Sequence, residues 1–175
     1  MGTWKFDPFH TQVEFSAKHL GMMTVRGHFA EVNATGEIHP DDPERTRVEA
    51  TINTSSIRTH NEQRDKDLRS SNFLEIDKYP TMTFKSTKIE PAGQDKYTLT
   101  GDLTIKGVTQ PVPLQLTFEG GATDPWGGVR VGFSAKAEID REAFGLSWNQ
   151  ALETGGVLVG KKATIEIEAE AVKQA

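Results

Sequence analysis

The feature that most constrains this chain is strict alternation of apolar and polar residues, repeated in segment after segment. Over residues 129–139, Val129, Val131, Phe133, Ala135, Ala137 and Ile139 share one face, with Arg130, Ser134, Lys136 and Glu138 on the other. The same period of two places Val48, Ala50 and Ile52 against Glu49, Thr51 and Asn53, and Val112, Leu114, Leu116 and Phe118 against Pro113, Gln115, Thr117 and Glu119. Tyr97, Leu99, Leu103 and Ile105 form another such face, and Ala163, Ile165, Ile167 and Ala169 a last one. A period of two is the signature of β-strands, and one dry face per strand is the pattern of antiparallel rather than parallel sheets.

The connections agree with that reading. Residues 91–95 (PAGQD), 106–110 (KGVTQ) and 123–128 (TDPWGG) are short and rich in the Gly, Pro and Asp of hairpin turns, and residues 39–45 (HPDDPER) form a further loop. Adding the less regular segments 4–6, 13–18, 26–38 and 81–89 makes about eight or nine strands, the number at which a sheet can close into a barrel with room for one small ligand. Closure removes the exposed edges that so long a meander would otherwise carry. The 11 residues of 129–139 make a strand of ~36 Å at ~3.3 Å per residue, which favours a barrel over a sandwich. At 175 residues the chain suits a single domain spanning 1–175. Trp4, at the start of the first strand, is placed to plug one end.

Two stretches break the alternation and belong at a rim. Residues 58–80 (RTHNEQRDKDLRSSNFLEIDKYP) are densely charged; Asn61 can cap a helix in which Leu68 is the lone large apolar residue, with Phe73 and Leu74 just beyond it. Residues 144–160 (FGLSWNQALETGGVLVG) have room for one helical turn around 149–153 before the Gly155-Gly156 stop.

Composition excludes several function classes. A net charge of −5 with dispersed cations argues against a nucleic-acid partner. The absence of cysteine removes disulfides, thiolate metal ligation and a thiol nucleophile. The histidines at 10, 19, 28, 39 and 60 have no metal-ligand spacing, and no serine sits in a nucleophile elbow. Asp65 and Asp67 diverge on a helix, so the charged run reads as a solvated face with Arg64, Lys66 and Arg69 as surface partners. No catalytic residue, metal or cofactor is expected. The N-terminal residues lack a signal-peptide pattern and no run is long enough to be a transmembrane segment, so the expected location is cytoplasmic.

The large rings leave two alternatives open. Phe15, Phe29, Phe73, Phe84, Phe133, Phe144 and Trp148 either fill the barrel completely, as composition alone favours, or line a cavity.

Ordered strings then carry a family resemblance. FDPFHTQVEFSAKHLGMMTVRGHF near the N-terminus, RDKDLRSSNF followed by YP and TFKS, GDLTIKGVTQPVPL, and IDREAFGL together resemble the YceI-like family of polyisoprenoid-binding proteins from end to end. Asp67 and Asn72 depart from its pattern, which commonly carries histidine and aspartate there. The resemblance implies an extended lipocalin-like antiparallel β-barrel of about eight strands, all-β, with one or two short helices at the rim. Its pocket would hold a long-chain isoprenoid or fatty-type lipid without turnover, the charged run lying across the mouth as a lid. The expected lining residues are Phe15, Leu20, Phe29, Leu68, Phe73, Phe84, Leu103, Leu116, Phe133, Phe144 and Trp148, and the expected head-group contacts are His19, Arg64 and Asn149. A filled barrel working through protein contacts, or an enzyme acting on a lipid through Asp65 or His60, are the other functions considered. A homodimer is compatible with the sequence.

Overall fold

The computed structural model describes residues 2–149 and 159–174. Alternation becomes strand throughout: β1 (Gly2–His19), β2 (Met23–Phe29), β3 (Val32–Ile38), β4 (Arg47–Asn53), β5 (Ile57–Arg58), β6 (Thr81–Gly93), β7 (Lys96–Ile105), β8 (Val108–Thr123), β9 (Val129–Asp140) and β10 (Val159–Lys173). Among the described residues there is one α-helix, α1 (Glu62–Arg69), between β5 and β6, with three short 3-10 turns elsewhere.

Every pairing is antiparallel. The sheet closes because β1 pairs with β10 on one side and with both β2 and β3 on the other. Since β2 and β3 face successive stretches of β1 and are separated only by Ala30 and Glu31, they act as one bent strand, and the ring has eight members. The two-residue β5 adds only a short pairing to the end of β2. Segments 4–6 and 13–18, expected as separate strands, are the two halves of the single 18-residue β1. A bulge hides their continuity: Phe6 pairs with Ala171 and Thr11 with Ala169, so residues 7–10 stand opposite Glu170 alone.

The lower end holds the chain termini, the β3–β4 connection, and the β6–β7 and β8–β9 hairpins. Trp4 is buried there with Ile38, Val131 and Ala171, packed against Phe6, Phe118 and Phe133. The upper end holds the β1–β2 and β7–β8 hairpins, α1 and the β9–β10 connection. Lys106 and Gly107 close the β7–β8 turn with φ of 51° and 75°, the conformation that matches a two-residue hairpin to strand twist. The helical turn expected around residues 149–153 falls, apart from Asn149, outside the described residues.

Candidate functional site

The larger core cluster does not fill the barrel. A cavity of about 350 Å³ runs through its interior, within the roughly 300–1,000 Å³ range of small-molecule pockets. Its wall is almost wholly carbon, drawn from every strand, and includes Val13, Ile52, Leu99, Leu114 and Ile165.

Cross-strand register explains the space. Along β9 and β10 small residues face large ones: Ala135 opposes Ile167, Ala137 opposes Ile165 and Ala169 opposes Phe133. This alternation fills a barrel layer. Two pairs break it. Ala34 faces Ala50 between β3 and β4, Ala17 faces Ala163 between β1 and β10, and all four line the cavity. Large rings elsewhere are held flat by glycines: a Cβ on Gly27 would come within 2.5 Å of the Phe15 ring, and one on Gly101 within 2.3 Å of the Phe84 ring.

The upper mouth is covered by α1 and the segment after it. The Asn61 side chain accepts the Arg64 N–H at 2.9 Å, capping the helix. Leu68 turns inward to the cavity, joined by the buried Phe73 and Leu74. The Phe73 ring stacks obliquely on Trp148 at 5.5 Å between centroids. Lys106 donates to the Ser71 carbonyl at 3.2 Å, tying the far side of the cover to the β7–β8 hairpin.

The charged run on this cover is only in part the solvated face that the sequence suggested: Glu62 and Lys66 are exposed, but Arg64, Asp65 and Arg69 are turned to the protein. Asp65 is buried and accepts the Thr59 N–H at 2.9 Å along with the Thr59 hydroxyl. Arg64 donates to that hydroxyl at 2.9 Å and to the Thr59 carbonyl at 2.6 Å, and Arg69 donates to the Ile57 carbonyl at 2.9 Å. These side chains bond backbone groups of Ile57 and Thr59 along the short β5 and just past its end. The two family departures touch each other, Asn72 Nδ2 donating to Asp67 Oδ1 at 3.1 Å.

Arg141, Thr11 and His39 are among the few polar residues on the cavity wall. Arg141 is buried at the upper end and donates to the carbonyls of Gly160 at 2.7 Å, Trp148 at 2.9 Å, Val159 at 3.3 Å and Leu146. Burial pushes its guanidinium below the ordinary arginine value, against the pull of Glu142 and Asp140. Thr11 contributes a buried hydroxyl that has no hydrogen-bond partner among the described residues. His39 lies at the lower end, its backbone N–H donating to Thr46 Oγ1 at 3.2 Å.

Of the lining residues expected from sequence, Phe15, Phe29, Leu68, Phe73, Phe84, Leu103, Leu116 and Phe133 face the cavity. Phe144 is 2% exposed but packs into the core behind the wall, and Trp148 backs Phe73 from outside. Leu20 lies outside the barrel altogether, in the β1–β2 turn, where φ of +55° carries it away from the strand face. The expected head-group set is not assembled: His19 is exposed on the outer end of β1, Arg64 is committed to Thr59, and Asn149 exchanges two hydrogen bonds with the Val159 backbone. The alternation puts Ala50 and Ala163 on apolar strand faces, but nothing in the sequence singles out the four alanines as the source of the space, nor Arg141 as a wall residue.

A second polar cluster sits on the outer lower surface. Arg130 bridges Asp7 at 2.9 Å, Asp124 at 2.9 Å and Glu170 at 3.2 Å, and His10 meets Asp7 at 2.8 Å. Hydrogen bonding to Arg130, then to His10, lowers the Asp7 carboxyl from 3.8 to about 2; Arg130 likewise holds Asp124 below its ordinary value. Asp7, His10 and Glu170 have ligand atoms within 4.8 Å of one another, but the Arg130 guanidinium already occupies both carboxylates. The cluster is a clasp: Asp7 also holds the bulge through Phe9 N–H, and Asp124 holds the β8–β9 turn through Trp126 and Gly128 N–H.

Comparison with known proteins places this geometry. A family model described as the YceI-like domain matches residues 4–171. A UPF0312 protein of Pectobacterium atrosepticum is 40% identical over 146 residues, covering 82% of this chain and 76% of its own, and Protein YceI of Shigella flexneri is 42% identical over 137 residues, covering 78% and 71%. Among solved structures, the Campylobacter jejuni YCEI protein superposes with a TM-score of 0.78 at 31% identity over 90% of each chain. A polyisoprenoid binding domain from Saccharophagus degradans, implicated in plant cell wall breakdown, aligns with a TM-score of 0.72 over 99% of this chain and 100% of its own. At 12% identity that likeness speaks for fold alone.

Proposed function

The chain belongs to the YceI-like family, and we propose that its barrel holds a long-chain amphiphile of the polyisoprenoid class, carrying or storing it without chemical turnover. The observation that carries this reading is the covered apolar cavity of about 350 Å³. At ~30 Å³ per water it has space for about a dozen solvent molecules, yet its wall offers them few partners. A hydrocarbon tail satisfies such a space: each buried CH₂ contributes ~0.8 kcal/mol, so about a dozen buried carbons supply about 10 kcal/mol gross before the cost of ordering them.

Tail burial gives affinity and little selectivity, because apolar walls discriminate a methylene weakly. Selectivity falls to the polar groups on the wall. The Thr11 hydroxyl is free to donate to an oxygen of the guest, and the Arg141 charge, surrounded by carbonyls rather than a carboxylate, favours an electron-rich group at the upper end. Binding without turnover is supported by Asp65, whose carboxylate is committed to Thr59 and does not line the cavity.

The test is native mass spectrometry of protein purified from its own cells, followed by solvent extraction of whatever it releases. The reading expects a stoichiometric prenyl or long-chain adduct. A clean apo mass, unchanged on adding prenyl phosphates, quinones or fatty amides, would point instead to a barrel that works through protein contacts.

A further inference from the structure

We infer that the β1–β2 hairpin is the surface by which this protein docks on a lipid bilayer bearing anionic head groups. The inference deepens the carrier reading, on which it rests for its purpose, by placing the contact with the source of the cargo.

Exposure comes first. Leu20, Met22 and Met23 form the tip of the hairpin at 36%, 72% and 67% exposure. Among the described residues they are half of the six exposed large hydrophobic ones, gathered within four positions. Contiguous exposed apolar surface marks contact sites, and methionine adapts to irregular, fluid partners.

Backbone strain comes second. Met22 N–H donates to the His19 carbonyl at 3.1 Å, closing a turn whose central residues, Leu20 and Gly21, have φ of 55° and 67°. Asn, Asp or Gly takes the first of these positions at low cost, whereas leucine is strained there. Strain of this kind clusters at functional sites, and here it falls on a bulky apolar residue rather than on a charged one such as Lys106 in the β7–β8 turn. The turn therefore keeps an apolar tip at the expense of its own stability.

Charge names the partner. Between Glu14 and Glu31 there is no acidic residue, while Lys18, Arg26, His19 and His28 all lie in that interval, in a chain whose net charge is −5. Lys18 donates to Thr24 across the hairpin at 3.0 Å, holding its ammonium beside the apolar tip. An apolar tip flanked by cations matches the interface of an anionic membrane, where hydrocarbon burial and head-group attraction add.

His19 pairs with Val159, and Ala17 with Ala163; Val159, Ala17 and Ala163 all line the cavity. A bilayer seated on the tip thus meets the barrel at its upper mouth, beside the cover formed by α1.

Co-sedimentation with sucrose-loaded phosphatidylcholine vesicles, with and without phosphatidylglycerol, tests this. The wild-type protein is expected to partition onto the anionic vesicles. Leu20→Asn, which relieves the strained turn, should weaken partition at least about threefold with an unchanged or higher melting temperature, and adding Met22→Ser and Met23→Ser should weaken it about tenfold or more. Lys18→Gln with Arg26→Gln should lower partition on the anionic vesicles only. Equal partition of all variants, no vesicle binding by the wild type, or a tip variant that changes only the oligomeric mass would each overturn the inference, the last by assigning the tip to a second copy of the chain. Extracting bound lipid from the same preparations keeps the two readings apart: cargo without docking sinks only this inference, and docking without cargo sinks only the carrier.

Discussion

Asp65 accepts the Thr59 N–H at 2.9 Å from a position 6% exposed, so a carboxylate in the middle of the most charged stretch of the chain is a buried fastener. It ties α1 to the strand that precedes it and so sets the cover over the cavity. Asp65→Ala leaves the Thr59 amide and hydroxyl without their acceptor, at a cost of about 2–3 kcal/mol. Lys66→Ala, on the exposed side of the same helix, should stay within about 0.5 kcal/mol. Urea denaturation measures both, and hydrogen exchange across residues 62–79 should quicken selectively in the Asp65 variant.

Arg141 holds the upper end together from the opposite side. Its guanidinium joins the β9 end to residues 146, 148, 159 and 160 through carbonyl acceptors. Arg141→Met orphans several of them and should destabilise the protein by at least about 3 kcal/mol. Arg141→Lys should recover only part of that loss, since an ammonium cannot reproduce the planar fork. Full recovery of stability by lysine would mean that charge rather than geometry matters.

Thr11 gives the opposite sign. Its hydroxyl is buried without a partner among the described residues, on a wall that is mostly carbon. Thr11→Val removes that unsatisfied group with little change of shape and should stabilise the empty protein by about 1 kcal/mol. The same change should weaken binding of an oxygen-bearing guest relative to a pure hydrocarbon one, which a paired calorimetric titration would read.

The Arg130 clasp sets a pH dependence. Asp7 has its folded-state value lowered from 3.8 to about 2, so its contribution to stability is fully present above 3.8 and is lost as the pH falls toward 2. Asp124, lowered by the same guanidinium, acts in the same direction. The urea midpoint should therefore be steady above this window and drop within it, and Asp7→Asn should flatten the drop. An unchanged slope in that variant would assign acid sensitivity to other carboxylates.

Much of the barrel was legible because alternation reports burial directly: β4, β7, β8, β9 and β10 fall where the apolar faces recur, and the capped α1 begins where Asn61 announces it. The unity of β1 was not legible, since the bulge at residues 7–10 interrupts the period that would reveal it. Leu20 misled because hydropathy records what a side chain prefers, whereas its placement follows from a turn with positive φ. The roles of Arg64, Asp65 and Arg69 depend on backbone groups of residues 55–59 that sequence does not bring near them. Cavity volume arises from Ala34 meeting Ala50 and Ala17 meeting Ala163, pairs that exist only once register is known.

Those facing alanines also offer the most direct test of a hollow, cargo-holding barrel. Titration of a prenyl quinone into the delipidated protein, followed by calorimetry, should show saturable binding of one molecule per chain. Ala50→Leu and Ala163→Leu, each adding bulk where small faces small, should weaken that binding by about tenfold or more while circular dichroism and the urea transition show a folded barrel. Equal binding by the folded variants and the wild type would contradict the cavity as the site, and no binding by any of them would contradict the carrier itself.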